Sequence, residues 1–143
     1  MLRVLPATVS DMPNVERIFH ETISVAPWIP EHARALPDFA AESAGELVFV
    51  CRNPDDCVLG FISIWEPEAF IHHLYVDPLH KRCGVGSTLL GSLDQWLPKP
   101  WRLKCVEKNT SAHAFYRALG WRTIDRGEGD HGTYLLLEYI GRR

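Results

Sequence analysis

The sequence predicts an α/β (α+β) protein: a mixed, mostly antiparallel central sheet of about seven strands flanked by about four helices. Three observations predict it. Alternating or continuous apolar runs end at turn residues, as strands do, at 2–7, 47–52, 57–65, 69–76, 101–107, 121–125 and 133–140. Apolar residues at helical spacing occupy 15–23, 85–97 and 112–119, and a further short helix fits within 24–40. The turns between strands 47–52, 57–65 and 69–76 are short, which makes those three a meander.

Taken in order, the first strand ends at Pro6-Ala7. Ser10 is placed to cap a helix carrying Asp11 and Pro13 in its first turn, where a carboxylate and a missing N–H both fit. Val15, Ile18, Phe19, Thr22 and Ile23 form its buried stripe. Residues 24–40 are punctuated by Pro27, Pro30 and Pro37 and read as a loop plus a short helix. Trp28 within them suits either core or a substrate wall. Strands 47–52 and 57–65 turn at Asn53-Pro54-Asp55-Asp56, and Glu66-Pro67-Glu68 leads into strand 69–76. After a glycine loop, Val85, Leu89, Leu93, Trp96 and Leu97 mark one helix face, stopped by Pro98 and Pro100. Strand 101–107 follows. Asn109-Thr110-Ser111 then starts a helix with Ala112, Phe115 and Leu119 on its apolar face and Gly120 past its end. The last two strands flank a polar turn at 126–131. The order is β-α-α-β-β-β-α-β-α-β-β, one domain over 1–143 with no repeat or linker.

Composition narrows the function. At 143 residues, 46% hydrophobic and 23% charged, the chain reads as an ordinary soluble globular protein able to bury a single core. No apolar run approaches the ~20 residues of a membrane span. The N-terminal Met1-Leu2-Arg3-Val4 lacks the apolar stretch of a signal peptide. A net charge of −3 gives no reason to expect nucleic acid. Cys51, Cys57, Cys83 and Cys105 are scattered and suit reduced thiols. The expectation is a cytoplasmic protein with neither membrane nor nucleic acid as partner.

The chemistry concentrates at Lys81-Arg82-Cys83-Gly84-Val85-Gly86-Ser87, between a strand ending at Asp77-Pro78 and a helix start. Glycines one residue apart let backbone N–H groups converge in open space. Two cations precede them and the positive end of a helix dipole follows. An anion fits there, a phosphate above all. The G-K-[ST] ending of a Walker loop is absent, and Leu89 stands where a third dinucleotide-loop glycine would be.

This K-x-x-G-x-G segment after V-D-P resembles the coenzyme A signature of the GNAT N-acetyltransferases, with Lys81 where the family usually has Gln or Arg. N-x-x-A-x-x-F-Y-x-x-x-G-W from Asn109 to Trp121 resembles the family's second motif, and the element order matches over nearly the whole chain. The resemblance implies acetyl-CoA as co-substrate and acyl transfer to a primary amine of a small molecule or peptide, by direct attack in a ternary complex. The loop from Lys81 through Arg82, Cys83, Gly84, Val85 and Gly86 to Ser87 would attract and grip the pyrophosphate. Leu74, Tyr75 and Val76 would pair with the pantetheine arm as an added strand. Asn109 would touch cofactor or substrate, and the Tyr116 hydroxyl would lie near the thioester sulfur. A neutral Tyr titrates near ~10, above the ~8.5 of a thiol, so it can protonate a departing thiolate. An amide N–H freed by strand splaying could stabilise the oxyanion.

A protonated amine needs a route for its proton. Glu66 in the turn is the first choice of base and His72 the second, with Glu68, His73 and a water chain as alternatives. Successive residues of a regular strand face opposite sides, so one at most of His72 and His73 enters the cleft. The same rule denies the pair a shared metal ion, and no metal is expected. Glu31, Glu66 and Glu68 are compatible with a cationic acceptor. A homodimer is compatible with the resemblance and marked by no residue. The alternative, from another class, is a non-catalytic acyl-CoA sensor or interaction module; a nucleotide-binding enzyme using the glycine loop is a third reading.

Overall fold

The computed structural model describes residues 1–27 and 38–141. Trp28, Glu31 and most of the 24–40 segment lie outside them. Seven strands form one sheet in the order β1-β2-β3-β4-β5-β7-β6. They are β1 Arg3–Pro6, β2 Leu47–Arg52, β3 Val58–Trp65, β4 Phe70–Val76, β5 Trp101–Val106, β6 Arg122–Gly129 and β7 Gly132–Tyr139. The described helices are α1 Met12–Val25, α2 Phe39–Glu42, α3 Val85–Ser92 and α4 Thr110–Ala118. None is long and apolar enough to cross a membrane. All four cysteines are free thiols.

Strand β3 explains the layering. Every residue from Val58 to Ile64 is buried, as befits a central strand covered on both sides. On one side Phe61 joins Val15, Ile18, Phe19 and Ile23 of α1 and Phe39 of α2. On the other, Ile62 and Ile64 join Val85, Leu89 and Leu90 of α3, Leu103 of β5 and Tyr116 of α4. Each large apolar side chain removed from water contributes roughly 1.5–3 kcal/mol, so both faces are committed to helices.

The elements match the expected order, and four local features differ. Ser10 does not cap α1. Thr8 and Asp11 form a capping box around a 3-10 turn at Val9–Asp11, and the Thr8 N–H donates to Asp11 Oδ2 at 2.8 Å. The helix after the glycine loop ends at Ser92 and tightens into a 3-10 turn over Leu93–Gln95. The last hairpin is longer than expected, because the β6–β7 ladder runs through the polar stretch as far as Gly129↔Gly132. Its turn residues pair in a ladder that apolar patterning alone does not reveal.

The fourth difference matters most. Strand β4 is not regular. Against β3, Ser63 pairs with His73 and Ile64 with Ile71, so His72 is the extra residue of a β-bulge. Parallel pairing between β4 and β5 covers only Phe70↔Arg102 and Ile71↔Leu103. It stops at the residue before the bulge. A bulge sharpens local twist, which turns β4 away from β5 from that point on. The sheet therefore divides into a β1–β4 half and a β5–β7–β6 half, with an open fork between them.

Candidate active site

The glycine loop lies at the end of β4. Asp77, buried, holds the corner: its Oδ1 accepts from the Leu79 N–H at 3.0 Å and its Oδ2 from Arg17 of α1 at 3.2 Å. Arg82 and Gly84 both adopt left-handed backbone, with φ of 64° and 81°. For arginine that conformation carries strain of the kind kept at functional sites. Gly84 is the N-cap of α3, and the first intrahelical bond runs from the Thr88 N–H to the Gly84 carbonyl at 3.0 Å. The amides of Val85, Gly86 and Ser87 precede it and have no partner within the helix. Lys81, Arg82, Cys83, Gly84 and Ser87 are exposed. The loop can hold an anion as its sequence suggests.

Two glycines let other groups reach this cradle. A Cβ on Gly60 would stand 2.8 Å from both the Tyr75 carbonyl and Val85 Cγ1, so the start of α3 rests directly on β3. A Cβ on Gly86 would stand 3.1 Å from Phe115 Cζ, so α4 lays its aromatic edge over the first turn of α3.

Inside the fork, Leu74 and Val76 face the α3–α4 side, and Tyr75 faces the other, stacked 5.9 Å from Phe19 at 16°. Tyr116 is the buried residue of α4, edge-on to Trp121 at 5.5 Å. Burial first, then nearby Cys105 and Tyr75, hold its hydroxyl well above the usual phenol range, so it stays protonated. Burial likewise pushes the Cys105 thiol up to about 11. Asn109 caps α4, its Oδ1 accepting from the Ala112 N–H at 3.1 Å, which leaves the amide NH₂ for another contact.

At the bulge the rule of alternating faces fails, and with it the expectation that the two histidines point to opposite sides of the sheet. The His72 and His73 rings lie on one side, their centroids 3.9 Å apart. His73 is 3% exposed and wedged among Phe19, Phe39, Phe61 and Tyr75. Its Nδ1 is 2.6 Å from Ser63 Oγ and its Nε2 3.2 Å from Glu42 Oε1. Burial lowers the His73 pKa despite Glu42, so the ring is neutral: Ser63 O–H donates to Nδ1 and Nε2–H donates to Glu42. That bond leads the effects that hold Glu42 below the ordinary carboxylate range, with lesser help from His72 and from His131 in the β6–β7 turn. His72 is half-exposed, and its Nδ1 is 2.7 Å from Glu46 Oε2. Among the described residues its Nε2 has no hydrogen-bond partner. Glu42, Glu46 and Ser63 have no motif, and only the fold brings them to β4.

Glu66 lies elsewhere. Its turn precedes the paired part of β4, and it lines a shallow cleft with Glu68, Lys99 and Arg102 at the closed end of the fork. The structure thus gathers His72, His73 and Tyr75 around the bulge and Leu74, Val76 and Tyr116 in the fork. It does not bring Glu66 to them.

Comparison with known proteins agrees with this geometry. The family model described as Acetyltransferase (GNAT) family matches residues 12–121. Among solved structures, the apo form of YjaB from Escherichia coli is similar over 99% of both chains, at 20% identity and a TM-score of 0.80. The structure of yncA from Salmonella typhimurium with its cofactor acetyl-CoA is similar over 98% of this chain and 94% of that one, at 14% identity and a TM-score of 0.73. Ribosomal-protein-alanine N-acetyltransferase from Brucella melitensis is similar over 96% and 99%, at 18% identity and a TM-score of 0.73. At such identities these likenesses establish the fold. No curated protein matches in sequence.

Proposed function

Because the chain belongs to the GNAT acetyltransferase family, we propose that it transfers an acetyl group from acetyl-CoA to a primary amine of a small molecule or peptide, by direct attack. The observation that carries this reading is the fork, which leaves the β5-facing edge of β4 unpaired beyond Ile71, beside a buried, protonated tyrosine.

Each part has a role. The amides at Val85 to Ser87, with Lys81 and Arg82 nearby, suit the pyrophosphate, and the Arg82-Cys83-Gly84 backbone shapes their approach. Leu74, Tyr75 and Val76 offer a strand edge to the pantetheine arm. As the amine nitrogen bonds to the carbonyl carbon, charge grows on the carbonyl oxygen, and a free β4 amide can stabilise it. The carbon–sulfur bond then breaks, and Tyr116 gives its proton to the sulfur. The proton leaving the amine goes to His72 Nε2, with Glu46 steadying the ring through Nδ1. His72 is preferred over Glu66 because it sits at the vertex of the fork. Glu42 and Glu46 suit a cationic acceptor. Holding both reactants in one geometry supplies much of the acceleration, with no need for an acyl-enzyme.

The test is thiol release from acetyl-CoA across a panel of amines, read with the purified full chain. Acceptor-dependent release supports the reading. Stabilisation by acetyl-CoA with no release on any amine would point to an acyl-CoA sensor. Ping-pong kinetics with a trapped acetyl-cysteine would refute direct attack.

A further inference from the structure

In a regular strand, two adjacent histidines cannot bind one ion. The bulge at His72 removes that obstacle. Nitrogen atoms of His72 and His73 and a carboxylate oxygen of Glu42 all lie within 4.8 Å of one another. We propose that Glu42, His72 and His73 form a three-ligand site for a borderline divalent transition metal, zinc foremost, inside the cleft that takes the acceptor amine.

The donor set is the first argument. Two imidazoles and one carboxylate suit zinc, and leave at least one position open to water or another ligand. The surroundings are the second. Metal-binding histidines use their other nitrogen to hold a carboxylate or hydroxyl, which fixes the ring. Both histidines are already held in that way. His72 Nδ1 meets the Glu46 carboxylate at 2.7 Å, and His73 Nδ1 meets Ser63 Oγ at 2.6 Å. His72 Nε2 is thereby left for a metal, whereas His73 Nε2 is held by Glu42 at 3.2 Å, itself one of the three ligands. On binding, His73 moves its proton to Nδ1, which donates to Ser63 Oγ, and Nε2 leaves Glu42 for the ion. The third argument is an unpaid polar group. Glu46 has a side chain only 7% exposed, and its Oε1 is buried without a hydrogen-bond partner among the described residues. A nearby cation relieves that cost. Glu42 and His72 are each more than a third exposed, so an ion can enter from solvent.

The consequence is regulatory. A metal on His72 Nε2 occupies the atom assigned to take the amine's proton, so metal and acceptor exclude each other. That consequence rests on the acetyltransferase reading; metal binding itself does not.

The experiment titrates the chelator-stripped full chain with Co²⁺ alone, follows the visible d–d bands, and then displaces cobalt with Zn²⁺. One equivalent is expected to bind with nitrogen–oxygen bands. His72→Gln and Glu42→Gln should each weaken binding at least about tenfold, and Glu46→Gln by roughly 10- to 100-fold. Both first changes sit at exposed side chains, and circular dichroism checks that the fold persists. Absent bands, bands unchanged in both variants, or a thiolate charge-transfer band from the exposed Cys57 or Cys83 would overturn the site. In the transfer assay Zn²⁺ should compete with the amine; competition with acetyl-CoA instead would overturn its placement. Metal binding together with no acyl transfer on any amine would leave the site standing and reject the enzyme reading alone.

Discussion

Tyr116 has a hydroxyl that burial keeps protonated, on a ring packed edge-on to Trp121. Removing the oxygen leaves that packing in place, so Tyr116→Phe separates chemistry from stability. We expect kcat to fall about 10²-fold or more with acetyl-CoA binding kept, the scale of a lost general acid. Unchanged turnover would take Tyr116 out of the mechanism. His73 makes a different prediction. Burial lowers its folded-state pKa below the unfolded value of about 6.5, so as pH falls through that value the unfolded chain binds the proton first. Stability contributed by the neutral ring is therefore present above pH ~6.5 and is lost as pH falls below it. Urea unfolding at a series of pH values should show this loss, and His73→Gln should flatten it even where it lowers stability throughout. At this scale the sequence marked Tyr116 and Asn109 as candidates through their motif. It could not supply Glu42 or Glu46, which lie about thirty positions from the histidines they meet and have no spacing to mark them.

Between α3, α4 and the sheet, contacts are close enough that single glycines decide them. Gly60→Ala would drive a Cβ to 2.8 Å from both the Tyr75 carbonyl and Val85. A cost of about 1–3 kcal/mol is expected from such overpacking, and it should appear in the chemical-denaturation midpoint. Because the displaced groups are β4 and the start of α3, acetyl-CoA affinity should fall along with stability. Asn109 separates its two duties by substitution. Asn109→Ala loses the cap and should cost roughly 0.5–2 kcal/mol, whereas Asn109→Asp keeps an acceptor for the Ala112 N–H. If the amide NH₂ also touches a ligand, Asp restores stability and still raises a KM; restoration of both would leave Asn109 as a cap alone. Helical periodicity and turn residues read correctly for α3, α4 and the meander, since these depend on neighbours a few positions away. Thr8 displaced Ser10 as the cap because Asp11 could reciprocate with it.

Across the whole molecule, the proposed binding mode completes the sheet at the fork. A ligand that bridges β4 and the loop before α3 ties the glycine cradle to the strand edge, and it should stabilise the fold as any ligand of the native state does. At a hundred times its Kd, acetyl-CoA should add about 2.7 kcal/mol, visible as a raised Tm. ATP and NAD should add nothing, since neither has an arm to lie along β4; equal stabilisation by ATP would return the loop to nucleotide chemistry.

By itself, the sequence determined the elements and their order, and it marked the glycine loop and Tyr116 as candidates, because each follows from local spacing, turn chemistry or a short motif. Tertiary structure decided where β4 breaks step. The bulge at His72 exists only relative to its partner on β3, and the convergence of Glu42, Glu46, Ser63 and His131 exists only once α2, β3 and the last hairpin have packed around it. Pairing register between distant strands is a balance of many contacts rather than of neighbouring residues. For that reason two histidines that a regular strand would send to opposite faces share one face of the sheet.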